Sequence, residues 1–283
     1  SVYGQWEGQF DARFLQEKDP SKLPWKALNI DIVIESTGLF TTFEKAAMHL
    51  AAGAKRVVIT APAHGEHDPG SHVSAATVLM GINEDKLKTC QITSNASCTT
   101  NASSPVIQVI HEALGIEKAL LNTAHAYTAS QRIVDSPNAK DFREGRAGAI
   151  NIIPSSTGAA IAVTKVIPEL EGKFDGIAMR IPIVTGSIAD ITMVTKRDTT
   201  KKEVNEILKQ AAQTKRWADI LAVTDEPLVS SDIVGNLHAA IVDLPMTRVA
   251  GGNLVKVLSW YDNEMGYAYT LINHVVKFGS HLK

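Results

Sequence analysis

Cysteine is scarce in this chain of 283 residues, and its scarcity excludes one class of protein. Only Cys90 and Cys98 are present, and such a pair is no disulfide scaffold. It predicts a reducing, cytoplasmic setting. Long apolar runs are lacking too, because none approaches the roughly 20 residues that a membrane-spanning helix needs. The first residues show no charged segment followed by an apolar stretch, so we expect no secretory signal peptide.

An excess of either charge is also missing. The chain carries 28 Lys and Arg against 30 Asp and Glu, a formal net charge of −2. A basic surplus that would favour nucleic acid is therefore absent, and we expect no nucleic-acid or membrane partner. The hydrophobic fraction of 45% and the charged fraction of 20% are typical of a globular protein. A chain of this length can bury one large core, and we expect two.

The second cysteine lies in a strongly polar segment, SNASCTTN, at residues 94–101. A strand-like run precedes it, and a periodic apolar run that closes at Gly115 follows, so Cys98 is predicted in the first turn of a helix. Unpaired N–H groups and the positive end of the helix dipole favour an anion there. The pattern predicts a lowered pKa for the Cys98 thiol and hence a nucleophile. The alternative is a capping segment in which the cysteine is incidental.

Strand, helix and strand patterns follow one another over residues 30–60. The apolar runs at 30–34 and 56–60 enclose a helical pattern at 42–52 that ends at Gly53. This βαβ unit predicts a parallel sheet with helices over its faces. Ligands of such sheets gather at the carboxyl ends of the strands, where residues 36–38 and Thr60 lie. Taken alone, a Ser-Thr-Gly segment after a strand, as at residues 36–38, is most often just a turn.

The second half of the chain reads as strands around one helix. Alternating runs at 176–183, 187–196, 237–244 and 254–260 predict strands, and Thr200 begins a capping box before a helix. The order predicts an α+β domain with a mixed or antiparallel sheet. Arg180 lies within an apolar strand, so it needs an anionic partner, either a carboxylate of the protein or a ligand.

The segment around Cys98 resembles the active-site segment of the phosphorylating glyceraldehyde-3-phosphate dehydrogenases. The segments HAYTASQ at 125–131, IPSSTGAA at 153–160 and WYDNEMGY at 260–267 match the family in the same order. The resemblance runs from about Pro24 to Tyr267. It implies an α/β fold, with a partial doubly wound, Rossmann-like domain at 1–97 and 263–283. An α+β catalytic domain is implied at 98–262.

The resemblance also implies a reaction and its residues. An aldehyde phosphate would be oxidised through a thioester on Cys98, with His125 as base, and inorganic phosphate would release an acyl phosphate. The implied substrate-binding residues, which form two anion sites, are Ser97, Thr99, Thr128, Thr157, Gly158 and Arg180. The implied cofactor-binding residues are Ser36, Thr37, Gly38, Thr60, Asn263 and Tyr267. Pro137 favours NAD, whereas Ser136 departs from the family pattern and leaves NADP open. Family members are commonly tetramers.

Two family features are missing from this sequence. It has neither the Gly-x-Gly-x-x-Gly turn nor the acidic residue about 20 positions later that would hold the adenosine side of the nucleotide. Because the nicotinamide-side residues are retained, we expect missing sequence rather than a changed function. The family usually carries lysine where Ile161 stands, which puts local surface or subunit contacts in doubt. The histidine-rich stretch at 64–72 is interpreted as a solvated loop without a metal.

Two rival functions remain at this point. A related aldehyde such as erythrose 4-phosphate would keep the chemistry, with water in place of phosphate resolving the thioester. A catalytically silent subunit or interaction module would keep a reactive thiol but bind no cofactor. Phosphate dependence separates the first rival from the main hypothesis, and nucleotide binding separates the second.

Overall fold

Twelve strands and five α-helices make up the regular structure of residues 12–64, 73–139 and 141–282, which the computed structural model describes. The strands are β1 (Ile32–Glu35), β2 (Arg56–Ile59), β3 (Ala75–Thr77), β4 (Ile92–Ser94), β5 (Ile116–Ala126), β6 (Ile153–Ser156), β7 (Phe174–Ile181), β8 (Ser187–Thr195), β9 (Leu221–Thr224), β10 (Ala240–Asp243), β11 (Arg248–Ala250) and β12 (Leu254–Tyr261). The helices are α1 (Phe43–Ala51), α2 (Cys98–Leu114), α3 (Ala159–Val166), α4 (Lys201–Ala212) and α5 (Met265–Gly279).

A four-stranded sheet holds the first part of the chain, with the strand order β1-β2-β4-β3. All of its neighbouring strands are parallel, which confirms the predicted βαβ unit. The side chains of Val57 and Ile59 join a cluster with Ala46 of α1 on one face. Val58 joins a cluster with Phe278 of α5 on the other face. Helices therefore cover both faces, as in a doubly wound sheet.

The second sheet has eight strands in the order β6-β7-β5-β8-β12-β10-β9, with β11 paired to β12. It is mixed, because β5 runs parallel to β7 and antiparallel to β8. The main hydrophobic core forms where α2 lies against this sheet, with Val106, Ile107 and Ile110 fully buried. The predicted α+β region with a mixed sheet is confirmed.

Helix boundaries follow the capping signals in the sequence. Ser97 precedes α2, and its side chain accepts a hydrogen bond from the N–H of Thr100 at 3.1 Å, which satisfies one of the unpaired donors of the first turn. Gly115 closes α2 with φ +68°. A Cβ at Gly53, which follows α1 with φ +104°, would come within 2.4 Å of the Lys26 side chain, so only glycine fits there.

Some details differ from the sequence-based expectations. β10 begins at Ala240 rather than Leu237. Between β5 and β6, Phe142–Gly145 form a short 3-10 helix that was not predicted. The three-residue strand β11, which was not predicted, forms because Gly251 and Gly252 adopt positive φ and return the chain onto β12. A run of three residues is too short for periodicity to predict a strand.

The domain boundaries at 97/98 and 262/263 stay a prediction, and residues 1–11 of the first domain lie outside the described residues. α5 follows the last strand of the mixed sheet and packs back on the parallel sheet, where the His274 ring is 2.7 Å from the Thr93 hydroxyl. Among the described helices, none is long and apolar enough to cross a membrane. Of the histidine-rich stretch at 64–72, only His64 is described.

Candidate active site

The carboxyl ends of the parallel strands bring residues 36–38 and Thr60, two of the predicted cofactor-binding groups, to one sheet edge. Glu35 of β1 pairs with Ile59 of β2, and Ile59 pairs with Ser94 of β4. The residues that follow these strands, which include Ser36, Thr60 and Asn95, therefore lie along one sheet edge. The N–H and the hydroxyl of Thr60 both donate to the Glu35 carbonyl. Cys98 begins the helix that leaves this edge, so the thiol and these two groups share it.

The turn between β4 and Cys98 is strained. Ala96 has φ +53°, a conformation that costs a non-glycine residue about 1–2 kcal/mol. Three contacts hold it in place. The Ala96 N–H donates to the Ser94 hydroxyl at 3.0 Å, the Tyr267 hydroxyl donates to the Ala96 carbonyl at 3.1 Å, and the Asn101 amide donates to the Ser97 carbonyl at 2.9 Å. These contacts hold the strained conformation and, with it, the direction in which α2 begins.

Cys98 and His125 form the predicted pair. The Sγ atom of Cys98 lies 3.3 Å from Nε2 of His125, which is hydrogen-bond distance for sulfur. The thiol is free and partly buried against the main core, whereas His125 is buried at the carboxyl end of β5. Nucleophile and base are thus in direct contact, as covalent catalysis requires.

The protonation of this pair differs from the sequence-based prediction. Burial raises the pKa of the Cys98 thiol above its usual range, although the Thr99 hydroxyl, backbone N–H groups and the charge of Arg180 act in the opposite direction. Burial and then Arg180 lower the pKa of His125 to about 4. The predicted lowering of the thiol pKa is therefore wrong for the protein without ligands, because desolvation outweighs the helix terminus.

Tyr261 connects the elements that carry the pair. Its buried hydroxyl lies 2.9 Å from the Thr99 hydroxyl on α2 and 2.8 Å from the Thr123 hydroxyl on β5. Its ring packs edge-on against the His125 ring, with the centroids 6.0 Å apart. These contacts fix the spacing between the start of α2 and the end of β5. The sequence did not identify this role, because a tyrosine in an apolar strand gives no local signal of it.

Arg180 lies beside the imidazole on the neighbouring strand, in register with His125. Its Nη1 is 2.6 Å from Nδ1 of His125 and 3.4 Å from the Ala126 carbonyl. Its Nε is buried and has no hydrogen-bond partner. The Thr128 hydroxyl donates to Gln131 at 3.2 Å, and among the described contacts no hydrogen bond joins Thr128 to Arg180.

The residues of the second predicted anion site lie at two helix starts. Ser97 caps α2, while Thr99 is buried and pairs with Tyr261. Gly158 is exposed at the start of α3, and the Thr157 hydroxyl accepts from the Ala159 N–H at 3.1 Å. Both helix starts favour anions. Of the four residues, Thr99 fits least, because its hydroxyl is already engaged away from solvent.

A buried network supports the turn at 36–38. The N–H and the hydroxyl of Thr37 donate to the Glu35 carboxylate. The indole N–H of Trp25 donates to Nδ1 of His49 at 3.0 Å, so Nε2 of His49 carries the proton that it donates to Glu35 at 2.9 Å. Gly38 has φ +73° and open space where a Cβ would lie. Sequence reasoning missed Trp25, Glu35 and His49, because they meet only in the folded chain.

Asn263 is oriented by its neighbours. Its Oδ1 accepts from the N–H of Gly186 at 3.1 Å and from the Ser187 hydroxyl at 2.9 Å. The side-chain NH₂ of Asn263 therefore faces away from Gly186 and Ser187, where it can donate hydrogen bonds to another group. Helix capping does not explain Asn263, because Asp262 accepts the N–H groups of Glu264 and Met265. A donor held in this way fits the carboxamide oxygen of a nicotinamide.

Comparison with known proteins gives one consistent result. A family model described as "Glyceraldehyde 3-phosphate dehydrogenase, C-terminal domain" matches residues 97–263. The chain is 47% identical to "Glyceraldehyde-3-phosphate dehydrogenase 2" of Streptomyces avermitilis, over 95% of this chain and 78% of that protein. It is 50% identical to "Glyceraldehyde-3-phosphate dehydrogenase" of Thermotoga maritima, over 93% of this chain and 76% of that protein. The corresponding protein of Borreliella burgdorferi is 46% identical, over 93% of this chain and 78% of its own length.

Proposed function

The chain belongs to the glyceraldehyde 3-phosphate dehydrogenase family, and we propose that it catalyses the phosphorylating oxidation of glyceraldehyde 3-phosphate to 1,3-bisphosphoglycerate. It is an oxidoreductase of the NAD(P)-dependent aldehyde dehydrogenase type. The observation that carries the proposal is the 3.3 Å contact between Sγ of Cys98 and Nε2 of His125 at the start of α2. A thiol and a base in contact are the parts that thioester chemistry needs.

In the proposed mechanism, Cys98 attacks after its proton has moved to a base. The thiolate adds to the aldehyde carbon, and the backbone N–H of Cys98 with the His125 ring stabilises the developing oxyanion. His125 gives the proton it took from the thiol to this oxyanion. It accepts the proton again when the hydrogen on the carbon leaves as hydride, which a bound nucleotide would accept, and a thioester remains on Cys98. A phosphate oxygen attacks the resulting thioester, the Cys98 sulfur leaves as thiolate, and an acyl phosphate is released.

Two anion sites are part of the proposal. Arg180 and Thr128 would bind the phosphate of the substrate, and the buried unpartnered Nε of Arg180 supports this assignment because an oxyanion would satisfy it. Ser97, Thr99, Thr157 and Gly158 would bind the attacking inorganic phosphate. The two helix starts support the second site. The support is weakest for Thr99, because its hydroxyl already pairs with the Tyr261 hydroxyl.

A nicotinamide nucleotide, when bound, supplies the hydride acceptor for the oxidation. Asn263 would hold its carboxamide. Tyr267 on α5 and, at the edge of the four-stranded sheet, the groups at 36–38 and Thr60 would line the rest of the nucleotide. The donor orientation of Asn263 and the open space at Gly38 fit such a ligand. We propose NAD as the nucleotide, on the basis of Pro137.

Phosphate dependence tests the proposed reaction. With glyceraldehyde 3-phosphate and NAD, we expect sustained NADH formation only when inorganic phosphate is present, because phosphate must release the thioester. Many turnovers without phosphate, or a preference for erythrose 4-phosphate, would favour the hydrolytic rival. The measurement is NADH absorbance with and without phosphate at equal ionic strength.

Equilibrium titration with NAD tests the non-catalytic rival. Nucleotide binding by a protein of verified mass supports an enzyme, whereas no binding by an intact chain would favour an interaction module. Assembly into a homotetramer and a cytoplasmic location belong to the same proposal. The first rests on the family likeness. The second rests on the cysteine usage, because a thiol nucleophile must stay reduced.

A further inference from the structure

A buried serine, Ser187, begins β8 at the point where three strand ends meet. β8 lies between β5 and β12 in the eight-stranded sheet and runs antiparallel to both. Its first residue, Ser187, is only 1% exposed and pairs with Tyr261, the last residue of β12. Ser187 therefore lies between the strand end that carries His125 and the strand end that leads to Asn263.

The two hydrogen bonds of the Ser187 hydroxyl have a fixed direction. The backbone N–H of Ala126 donates to Oγ of Ser187 at 3.2 Å, and the same Oγ lies 2.9 Å from Oδ1 of Asn263. A backbone N–H can only donate, so the hydroxyl accepts from Ala126 and keeps its own proton for Asn263. A chain of two hydrogen bonds thus links the residue that follows His125 to the Asn263 amide.

Gly186 supplies a second donor that fixes the same amide. Its N–H donates to Oδ1 of Asn263 at 3.1 Å. Gly186 has φ +86°, and a Cβ there would collide with the Ser230 carbonyl oxygen, so only glycine fits this turn. If the Asn263 amide were reversed, its NH₂ would face the Gly186 N–H, and two donors would oppose each other. Gly186 and Ser187 together therefore select one orientation of the amide.

The backbone that carries Asn263 is held separately, by the buried carboxylate of Asp262. This carboxylate accepts from the N–H groups of Gly235 at 2.7 Å, Glu264 at 2.8 Å and Met265 at 3.0 Å. With the backbone fixed in this way, the main freedom left to Asn263 is rotation of its side-chain amide. That rotation is what the serine hydroxyl restricts.

We propose that Ser187 is a positioning residue for the nicotinamide. It directs the NH₂ of Asn263 toward the carboxamide oxygen of the nucleotide, and it ties this amide to the strand end that carries His125, so that ring and base keep a fixed separation. The inference rests on the proposed function and adds a residue to the same site. Because Ser187 is buried away from both ligands, its effect on the nucleotide passes through Asn263.

Equilibrium binding of two ligands tests this role. NAD carries the nicotinamide and ADP-ribose lacks it, so only NAD reports on the orientation of Asn263. Ser187→Ala should raise the Kd for NAD about two- to tenfold, which is the value of one neutral hydrogen bond, and should leave the Kd for ADP-ribose unchanged. An unchanged Kd for NAD, or an equal rise for both ligands, would overturn the proposal.

A second variant and a matched control accompany this measurement. Ser187→Cys keeps an acceptor for the Ala126 N–H but donates more weakly, so it should show the same NAD-specific loss to a smaller extent. Ser259→Ala removes an equally buried hydroxyl on β12, which donates to the Ala102 carbonyl at 3.1 Å, and should leave both dissociation constants unchanged. A loss of NAD affinity in Ser259→Ala that matched the loss in Ser187→Ala would contradict a specific role for Ser187.

A double-mutant cycle tests whether Ser187 acts through Asn263. Asn263→Ala removes the amide, so adding Ser187→Ala to this variant should cost no further NAD affinity. Fully additive losses would show that Ser187 acts by another route, and the proposal would be wrong.

NADH formation by the same preparations distinguishes the two levels of failure. If the wild type oxidises glyceraldehyde 3-phosphate but Ser187→Ala weakens both ligands alike, the role of Ser187 is wrong and the proposed function stands. If the NAD-specific loss appears but the wild type forms no NADH, the role of Ser187 stands and the proposed function is wrong. No NAD binding by the wild type would overturn the inference together with the cofactor assignment.

Discussion

The two sheet edges that flank Cys98 differ in how their polar groups are satisfied. At the edge of the four-stranded sheet, Glu35 accepts from both His49 and Thr37. At the edge of the eight-stranded sheet, Nε of Arg180 has no partner and Nδ1 of His125 has two competing ones. No other side-chain nitrogen or oxygen along these two edges, in the described part of the chain, is both buried and unpartnered.

This difference distinguishes the groups that hold the structure in place from the groups that can take part in the reaction. A fully satisfied buried network holds one geometry, because each group that moves would lose a hydrogen bond. An unsatisfied donor beside a histidine instead lowers the cost of binding a ligand that satisfies it. We therefore propose that the first edge positions the nucleotide and that the second binds substrate and transfers protons. The four predictions below test this division, starting with the largest expected effect.

Removal of the nucleophile should have the largest effect. Cys98→Ser should lower NADH formation below detection, because serine at this position has no comparable nucleophile near neutral pH. Cys90→Ser, at the buried cysteine just before β4, is the matched control and should keep turnover. Turnover by Cys98→Ser at a rate near that of the wild type would place the chemistry elsewhere.

Removal of the base comes next. His125→Asn should lower kcat/KM about 10²- to 10⁴-fold, the usual contribution of one proton-transfer partner. The variant keeps a polar side chain at the end of β5, so its thermal unfolding should stay close to that of the wild type. A loss smaller than tenfold would show that the 3.3 Å contact carries no proton in the rate-limiting step.

Sequence reasoning predicted the elements of the site better than its electrostatics. Ser97 and Gly115 define α2 by local capping, and such signals survive in any context. The pairing of Cys98 with His125 came from the family resemblance, since 27 residues separate them. The strained φ of Ala96 gave no signal, because glycine, the usual marker of that conformation, is absent there.

The direction of the pKa shift of Cys98 shows why the electrostatics of the site could not be predicted from the sequence. The helix start is visible in the sequence, and it favours a thiolate. Burial depends on how α2, β5 and Tyr261 pack together, which no local pattern encodes, and it raises the pKa of Cys98. The same holds for Trp25, His49 and Glu35, whose shared network exists only after β1 and α1 have packed.

The third prediction concerns the hydrogen-bond network around Glu35 at the edge of the four-stranded sheet, where we expect a smaller kinetic effect. Glu35→Gln removes a charged hydrogen bond to His49, which is worth about 1.5–3 kcal/mol. We expect the KM for the nucleotide to rise about tenfold with kcat nearly unchanged, because the turn at 36–38 loosens while Cys98 and His125 keep their contact. Glu44→Gln, at an exposed position in the first turn of α1, is the matched control. A fall in kcat with unchanged KM would contradict the division between the edges.

The smallest effect concerns stability at acid pH. Burial lowers the pKa of His274 to about 4, whereas in the unfolded chain its pKa is near 6.5. Between these values the unfolded state binds more protons, so stability falls as pH falls through about 6.5 to about 4, by up to about 3 kcal/mol for this group. His274→Gln should flatten this dependence in thermal unfolding curves. An unchanged slope would mean that other groups dominate.

The most direct test of the account is a single-turnover burst, measured without inorganic phosphate. Mixed with NAD and glyceraldehyde 3-phosphate, the wild-type protein should form NADH rapidly and then stop, with one acyl group on Cys98 for each NADH, as intact mass and peptide mapping would show. His125→Asn should form the same adduct about 10²- to 10⁴-fold more slowly. An acyl group at another residue, or an equally fast burst in His125→Asn, would contradict the claim that this pair carries the reaction.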